Sequence, residues 1–189
     1  KDGKLNVLIA ADGNLSAPKG MFTKDNYLFI CDVNKIMVYN LKALKETPQT
    51  IFFPEDDLFI NDLAADGNTL YASVTNSGKI YQIDITNPSN MSDITPIKWV
   101  DIIGPNGLII DNGIMYVASY PADGTTTDAN VIYQITDFAN PVVEKFTILP
   151  GQYDGIALSA DKKTMYITNW SPAGISCINM STRQITPLM

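Results

Sequence analysis

Apolar and polar positions alternate along this chain in short runs, and one unit of this pattern occurs four times. The third copy has an apolar run at residues 108–110, a turn at Asp111-Asn112-Gly113 and a second apolar run from Ile114 to Tyr120. Asn-Gly supplies the positive φ angles of a two-residue hairpin, and β-branched and aromatic residues favour strands. The unit therefore predicts a strand, a turn and a second strand, and helical periodicity is absent.

An aromatic residue marks the second strand of every copy. These marker residues are Phe29, Tyr71, Tyr116 and Tyr166, so successive markers lie 42, 45 and 50 residues apart. This period fits four-stranded propeller blades, which take roughly 40–50 residues each. The sequence therefore predicts an all-β propeller of antiparallel blades in a single domain, with blades at about residues 15–55, 56–103, 104–149 and 150–189.

One apolar segment, Leu5–Ala10, precedes the first blade and has the pattern of an outer strand from a preceding blade. A propeller has to close, because an open ring leaves strand edges exposed. Two arrangements fit: a four-bladed ring with an additional N-terminal strand, or part of a larger ring, most simply a six-bladed one. We favour the larger ring because the first residues begin within a blade.

Charge and composition exclude some classes of function. The net charge of −7 disfavours a nucleic-acid partner, because an acidic surface repels phosphate. No apolar run approaches the ~18 residues of a membrane span. The chain starts at Lys1 rather than Met and carries no secretion signal, which indicates a processed chain or a fragment. Glu55-Asp56-Asp57 is expected to form a solvated loop.

The residues available for chemistry are limited as well. The chain has no histidine, which excludes histidine-based catalysis and histidine-bound zinc. Cys31 and Cys177 lie in different copies of the repeat, inside predicted strands. We expect both to be unbridged core residues.

Propeller loops that enter the innermost strands meet around a central channel. Alignment of the four copies puts Lys19, Asn61, Asn106 and Asp154 at this place. Two amides and a carboxylate around one axis fit a calcium site, because calcium prefers oxygen ligands. Alternatively, each residue closes a turn, which is a common use of Asn and Asp.

Three short motifs bear a family resemblance. Asn61-Asp62, Pro105-Asn106-Gly107-Leu108 and Asp154-Gly155-Ile156 resemble the channel motifs of the senescence marker protein/gluconolactonase/luciferin-regenerating enzyme family. The resemblance implies a six-bladed propeller that hydrolyses lactones or esters with one divalent metal, often calcium. The chain departs from the family pattern at Phe59, where the family has arginine, and it has no match for the glutamate ligand of the family's first blade.

The resemblance also implies roles for individual residues. Asn106 and Asp154 would be metal ligands, and Asn61 would face the substrate near the metal. Catalysis would then depend on Asp154 and Asn61, and Asp62 would contact the substrate. Tyr120, Tyr153 and Trp170 fall near predicted loop ends, where aromatic residues either line a ligand site or belong to the core. Of these, Tyr120 and Tyr153 are candidate substrate-binding residues.

A second resemblance competes with the first. The stretch from Pro18 to Ile36 is similar to an NHL repeat, and Met165–Asn169 is similar to the YVTN repeats of surface and periplasmic propellers. These are mostly binding or scaffold modules, so this resemblance implies an extracytoplasmic protein that binds a ligand or a protein partner on its loop face. The sequence thus leaves two hypotheses open: a metal-dependent hydrolase acting on a lactone or sugar acid derivative, and a non-catalytic binding propeller.

Overall fold

Four antiparallel sheets of four strands make up the protein. The computed structural model describes residues 3–189, and in every sheet the strands are neighbours in chain order. None of these residues forms a helix, and hence no helix there could cross a membrane. We call the sheets blades 1 to 4. The predicted all-β fold with four-stranded antiparallel blades is confirmed.

The strands of the four blades have the following bounds. Blade 1 contains β1 (Met21–Lys24), β2 (Tyr27–Cys31), β3 (Lys35–Asn40) and β4 (Gln49–Phe52). Blade 2 contains β5 (Ile60–Asp66), β6 (Thr69–Val74), β7 (Lys79–Asp84) and β8 (Ile97–Asp101). Blade 3 contains β9 (Pro105–Asp111), β10 (Ile114–Ser119), β11 (Tyr133–Thr136) and β12 (Val142–Lys145). Blade 4 contains β13 (Tyr153–Leu158), β14 (Thr164–Asn169), β15 (Gly174–Asn179) and β16 (Ile185–Pro187).

The turns between the first two strands follow the sequence signals. Asn112 and Gly113 have φ angles of 49° and 72° between β9 and β10. Positive φ at both central residues is what a type I′ hairpin turn requires. The predicted strand–turn–strand unit is therefore confirmed.

The aromatic markers occupy equivalent places, as predicted. Phe29, Tyr71, Tyr116 and Tyr166 each lie in the second strand of their blade. The first three are 0%, 2% and 8% exposed, because each packs in the apolar layer between its own blade and the next one. Tyr166 is 42% exposed and belongs to none of the apolar clusters formed by the described residues. The first and fourth blades share no apolar cluster among residues 3–189, and closure as a six-bladed ring stays a prediction.

The N-terminal segment covers the outward face of blade 1. Ile9 and Leu15 pack against the cluster of buried residues that includes Met37 and Tyr39. Asp32 fixes the end of this segment, since its carboxylate accepts the N–H groups of Ser16 and Ala17 at 2.9 and 2.6 Å.

The predicted strand at Leu5–Ala10 does not form. Leu5 and Val7 are fully or largely exposed, and no described strand lies alongside the segment to pair with it. A strand needs such a neighbour to satisfy its backbone hydrogen bonds, so the apolar pattern alone does not produce one here.

Two side-chain predictions have different outcomes. Cys31 and Cys177 are unbridged, as expected, but only Cys31 is a buried core residue, because Cys177 is half-buried. The acidic loop is not solvated throughout, because Asp57 is completely buried. Its carboxylate accepts hydrogen bonds from Lys79, at 2.8 Å, and from the Tyr81 hydroxyl. Glu55 and Asp56 are exposed, as the sequence predicts.

Candidate functional site

A cavity of about 620 Å³ lies where the innermost strands of the blades begin. All four blades or their entry loops contribute lining residues, among them Gly20, Asp62, Asn106 and Asp154. We call it the channel cavity. Its volume is in the range of pockets that hold small molecules.

Irregular pairing explains why these positions reach the cavity. The innermost strand shifts register against its neighbour between Ile60 and Leu63 in blade 2, and between Tyr153 and Ile156 in blade 4. In blade 3 the shift falls between the residues paired with Pro105 and Leu108. A bulge in a strand re-aims the side chains within it, so the residues in these three shifts line the cavity rather than follow strict alternation. They include Asn61, Asp62, Asn106 and Asp154.

Asn106 is the most deeply buried polar residue of the cavity. It is 3% exposed, and its side-chain amide makes no hydrogen bond to any described residue. Only its backbone carbonyl is engaged, accepting the Ser73 hydroxyl at 2.6 Å. The amide atoms of Asn106 are open to the cavity, because Ser77 Oγ is the one fully buried side-chain polar atom without a partner among the described residues. A group bound in the cavity would therefore reach this amide directly.

Two carboxylates share the cavity with Asn106. Asp154 is half-buried, its carboxylate makes no hydrogen bond to a described residue, and burial raises its pKa. Burial also raises the pKa of Asp62, and the charge of Asp154 raises it further. Asp62 accepts the N–H of Leu108 at 2.8 Å, which links blade 2 to blade 3. A cation bound between these carboxylates would lower the cost of their charges.

Asn61 has a structural role as well as a place in the cavity. Its amide N–H donates to the Thr75 hydroxyl at 2.9 Å, and that hydroxyl donates to the carbonyl of Pro105 at 2.8 Å. This chain of bonds ties blade 2 to blade 3. The amide oxygen of Asn61 has no partner among the described residues and remains available to a ligand.

Three aromatic residues, Phe59, Tyr120 and Trp170, line the mouth of the channel cavity, and we call them the aromatic rim. The rings of Tyr120 and Trp170 are nearly parallel, with an interplanar angle of 13° and centroids 6.4 Å apart. The ammonium of Lys19 lies 4.6 Å from the centroid of Phe59.

The predicted site residues do not all come together. Asn61, Asp62, Asn106, Tyr120 and Asp154 line the cavity. Tyr153 does not: its ring is buried in the core between blades 3 and 4, and its hydroxyl donates to the carbonyl of Leu149 at 2.9 Å. Tyr153 is the first residue of β13, the innermost strand of blade 4, and at this position the side chain points into the core.

Sequence analysis missed the role of Phe59 and gave Trp170 only as one of three loop-end aromatics. One signal was present for Trp170, because Thr75, Tyr120 and Trp170 each follow a marker tyrosine by four residues, and all three line the cavity. Phe59 had no such signal, since the equivalent residue of blade 3 is Gly104.

The donor set of the cavity fits a hard divalent cation. Carboxylate and amide oxygens from Asp62, Asp154, Asn106 and Asn61 are the ligand types that calcium prefers. The unpartnered Asn106 amide supports this fit. The described residues contain no group of three or more acidic, histidine or cysteine side chains placed to hold a metal. Two carboxylates with amides predict weak binding, because charge tunes calcium affinity.

The fold and this cavity define a β-propeller fold with a ligand-sized cavity where its innermost strands begin. Its backbone is similar to that of streptogramin B lyase, with a TM-score of 0.67 and 15% identity over 95% of this chain and 56% of that one. It is also similar to the periplasmic gluconolactonase of Pseudomonas aeruginosa, with a TM-score of 0.63 and 14% identity over 91% of this chain and 53% of that one.

A third similar structure comes from a nidogen/laminin complex, with a TM-score of 0.67 and 15% identity over 90% of this chain and 64% of that one. Identities this low show the propeller fold and nothing more specific. The family resemblance in the sequence also implied a propeller fold. The chain spans about half to two thirds of the length of these structures. No protein-family model matches the sequence, and no curated protein matches it.

Proposed function

We propose that the channel cavity is the active site of a divalent-metal-dependent hydrolase that acts on a lactone or a simple ester. The observation that carries the proposal is the pair of unpartnered polar side chains, Asn106 and Asp154, on one cavity of small-molecule size. The fold supports it in a general way, since a gluconolactonase has a similar backbone.

Each polar residue then has a role. Asp154 and Asn106 would hold the cation. When bound, a divalent metal would supply the Lewis acidity that polarises a carbonyl and acidifies water, so the reaction would need no histidine. Asn61 orients the substrate through its free amide oxygen. Asp62 accepts the proton of the attacking water, because its raised pKa brings its proton affinity closer to the working pH.

A second candidate function is ligand binding without catalysis. The exposed aromatic rim favours it, because exposed aromatic residues around a cavity are typical of binding surfaces. A protein partner on the loop face is part of this candidate, since a similar propeller occurs in a nidogen/laminin complex. In either case we propose an extracytoplasmic location, as for the periplasmic gluconolactonase that shares the fold.

Calcium titration tests the metal site. We expect a Kd of ~0.1–1 mM, the range of weak extracellular sites. At 10 mM calcium a Kd of ~1 mM stabilises the folded state by about 1.4 kcal/mol, which raises Tm by roughly 3–6 °C for a chain of this size. Asp154→Ala should abolish the shift, and the exposed Asp66→Ala, with the same charge change, should retain it.

Hydrolysis is then followed with δ-valerolactone and glucono-δ-lactone by proton release at constant pH. Calcium-dependent turnover that disappears in Asp154→Ala supports the hydrolase. A calcium shift without turnover supports the binding propeller. A parent protein with no shift at 10 mM calcium, or an equal shift in Asp154→Ala, rules out this metal site.

A further inference from the structure

The aromatic rim leaves apolar surface in water at the mouth of the cavity. Phe59 is 45% exposed and Trp170 is 63% exposed. Single exposed apolar side chains are ordinary, but three that converge on one cavity mark a binding site. Two of the three come from the same repeat position, which places them side by side on adjacent blades.

Phe59 is also held in an unfavourable backbone conformation. Its φ angle is +65°, in the left-handed region that bulky residues rarely adopt. The equivalent residue of blade 3 is Gly104, with φ of +52°. The repeat itself imposes this conformation, because the carbonyls of Phe59 and Gly104 accept the N–H groups of Thr75 and Tyr120 at 3.1 and 2.8 Å.

The side chain of Phe59 does not compensate for this strain by packing. Phe59 is only about half-buried, belongs to none of the buried apolar clusters, and contacts the ammonium of Lys19 with its ring. Its N–H is fixed to the carbonyl of Val33 at 2.7 Å, which directs the ring to the cavity mouth. Strained residues that surrounding bonds hold in place cluster at ligand sites. A glycine would satisfy the backbone better, so the phenyl ring itself is what this position supplies.

The two ends of the cavity differ in chemistry. The floor offers the unpartnered amide of Asn106 and two carboxylates, whereas the mouth offers chiefly the faces of three aromatic rings. Lys19, the cation at the mouth, already donates to the carbonyl of Ala17 at 3.0 Å. A flat ring finds stacking partners there.

We propose that the aromatic rim binds an aromatic ring of the ligand, so that the site takes aryl lactones or aryl esters in preference to aliphatic ones. The proposal rests on the proposed function for the position of the carbonyl at the floor. The binding of the ring depends only on Phe59, Tyr120 and Trp170.

A matched pair of lactams tests ring binding without hydrolysis. The probes are 3,4-dihydroquinolin-2-one and δ-valerolactam, which share a six-membered lactam and differ in the fused benzene ring. Calorimetry with the parent protein and 10 mM calcium should show about tenfold tighter binding of the aryl lactam, the upper range of a stacking interaction. Equal affinities for the two lactams, or no binding of either, would overturn the proposal.

Substitutions assign the preference to the rim. Trp170→Ala and Phe59→Ala should each reduce the preference for the aryl lactam about threefold. Phe52→Ala is the matched control, because Phe52 is 65% exposed on the outer strand of blade 1 and does not line the cavity. It should leave the preference unchanged. A loss of preference in Phe52→Ala equal to that in Phe59→Ala would contradict the assignment.

Phe59→Gly separates a ligand role from a structural one. It removes the backbone strain, so Tm should stay equal to that of the parent or rise, while the aryl preference falls as in Phe59→Ala. A lower Tm with unchanged preference shows that Phe59 serves the fold and refutes its part in the rim.

Dihydrocoumarin and δ-valerolactone then serve as the hydrolysable pair. Aryl lactam binding without turnover refutes the hydrolase and retains the rim.

Discussion

The buried carboxylate of Asp57 should be a main support of the loop that carries Phe59. Asp57 is 0% exposed and accepts hydrogen bonds from Lys79 and from the Tyr81 hydroxyl, both in the second blade. Its own N–H donates to Pro54 at 2.9 Å, which closes the turn. The perturbation is Asp57→Ala, which removes the acceptor from both partners.

The cost can be worked from what each partner loses. The Tyr81 hydroxyl is buried and left unsatisfied, at about 1–3 kcal/mol. The Lys79 side chain is 29% exposed, so water hydrates its ammonium once the carboxylate is removed. The loss of stability from breaking this ion pair is therefore reduced to about 1 kcal/mol. The sum is about 3 kcal/mol, or a fall in Tm of roughly 6–12 °C for a chain of this length.

Urea denaturation followed by tryptophan fluorescence measures the effect, with calorimetry for Tm. Asp56→Ala and Glu55→Ala are matched controls in the same loop, where both side chains are exposed, and each should stay within about 0.5 kcal/mol of the parent. If Asp57→Ala costs no more than these two, the reasoning about the buried pair is refuted.

The pH dependence of the same variant gives an independent check. Burial raises the pKa of Asp57, but hydrogen bonds from groups such as Lys79 and Tyr81 outweigh it and hold the pKa below its ordinary value. A lowered pKa means that the stabilisation is present above the unfolded pKa of about 3.9 and is lost as pH falls through the folded pKa. The gap in stability between the parent and Asp57→Ala should therefore narrow below about pH 4.

Three further predictions concern the channel and the thiols. Asp154→Asn should raise Tm at pH 7, because burial raises the pKa of Asp154 and its charged form therefore destabilises the folded state. The variant should lose this gain in Tm below about pH 4, where the Asp154 carboxyl is protonated in the parent as well. Equal Tm values for parent and variant at pH 7 would contradict the prediction. Gly107→Ala should cost about 1–3 kcal/mol in urea denaturation, because its Cβ would clash with the Asp154 carbonyl. Gly155→Ala, which meets only the Thr168 side chain at 3.0 Å, should cost less. A thiol reagent should modify the half-buried Cys177 first and Cys31 only on unfolding, because Cys31 is fully buried and burial raises its pKa; two fast thiols in the native protein would refute it.

Repetition made the fold predictable from sequence. The marker aromatics and turns such as Asn112-Gly113 carry local signals that four copies reinforce, and the structure places them as expected. The segment Leu5–Ala10 has the same local pattern without a strand beside it, and it stays unpaired. A strand depends on its neighbour, and local pattern does not report whether that neighbour exists.

The cavity was harder to predict because bulges decide which way its residues point. Tyr120 and Tyr153 both lie at loop ends, yet one lines the cavity and the other fills the core. Among three consecutive acidic residues, only Asp57 turns inward, to partners about twenty residues away in the chain. Phe59 has a positive φ angle, which a bulky residue rarely adopts, and the sequence alone does not reveal this conformation.

The half-exposed Tyr166 indicates which blade unfolds most readily. Blades gain stability chiefly from the apolar layers they share, so an array of this kind behaves approximately as a row of nearest-neighbour couplings. Blades 2 and 3 are coupled on both sides, whereas blade 4 is coupled to blade 3 alone within the described chain. Amide protons of β14 and β15 should therefore exchange with solvent at lower opening free energy than those of β6 and β7. In a larger ring, a neighbouring blade that covered Tyr166 would suppress the local unfolding of blade 4 before that of the other blades.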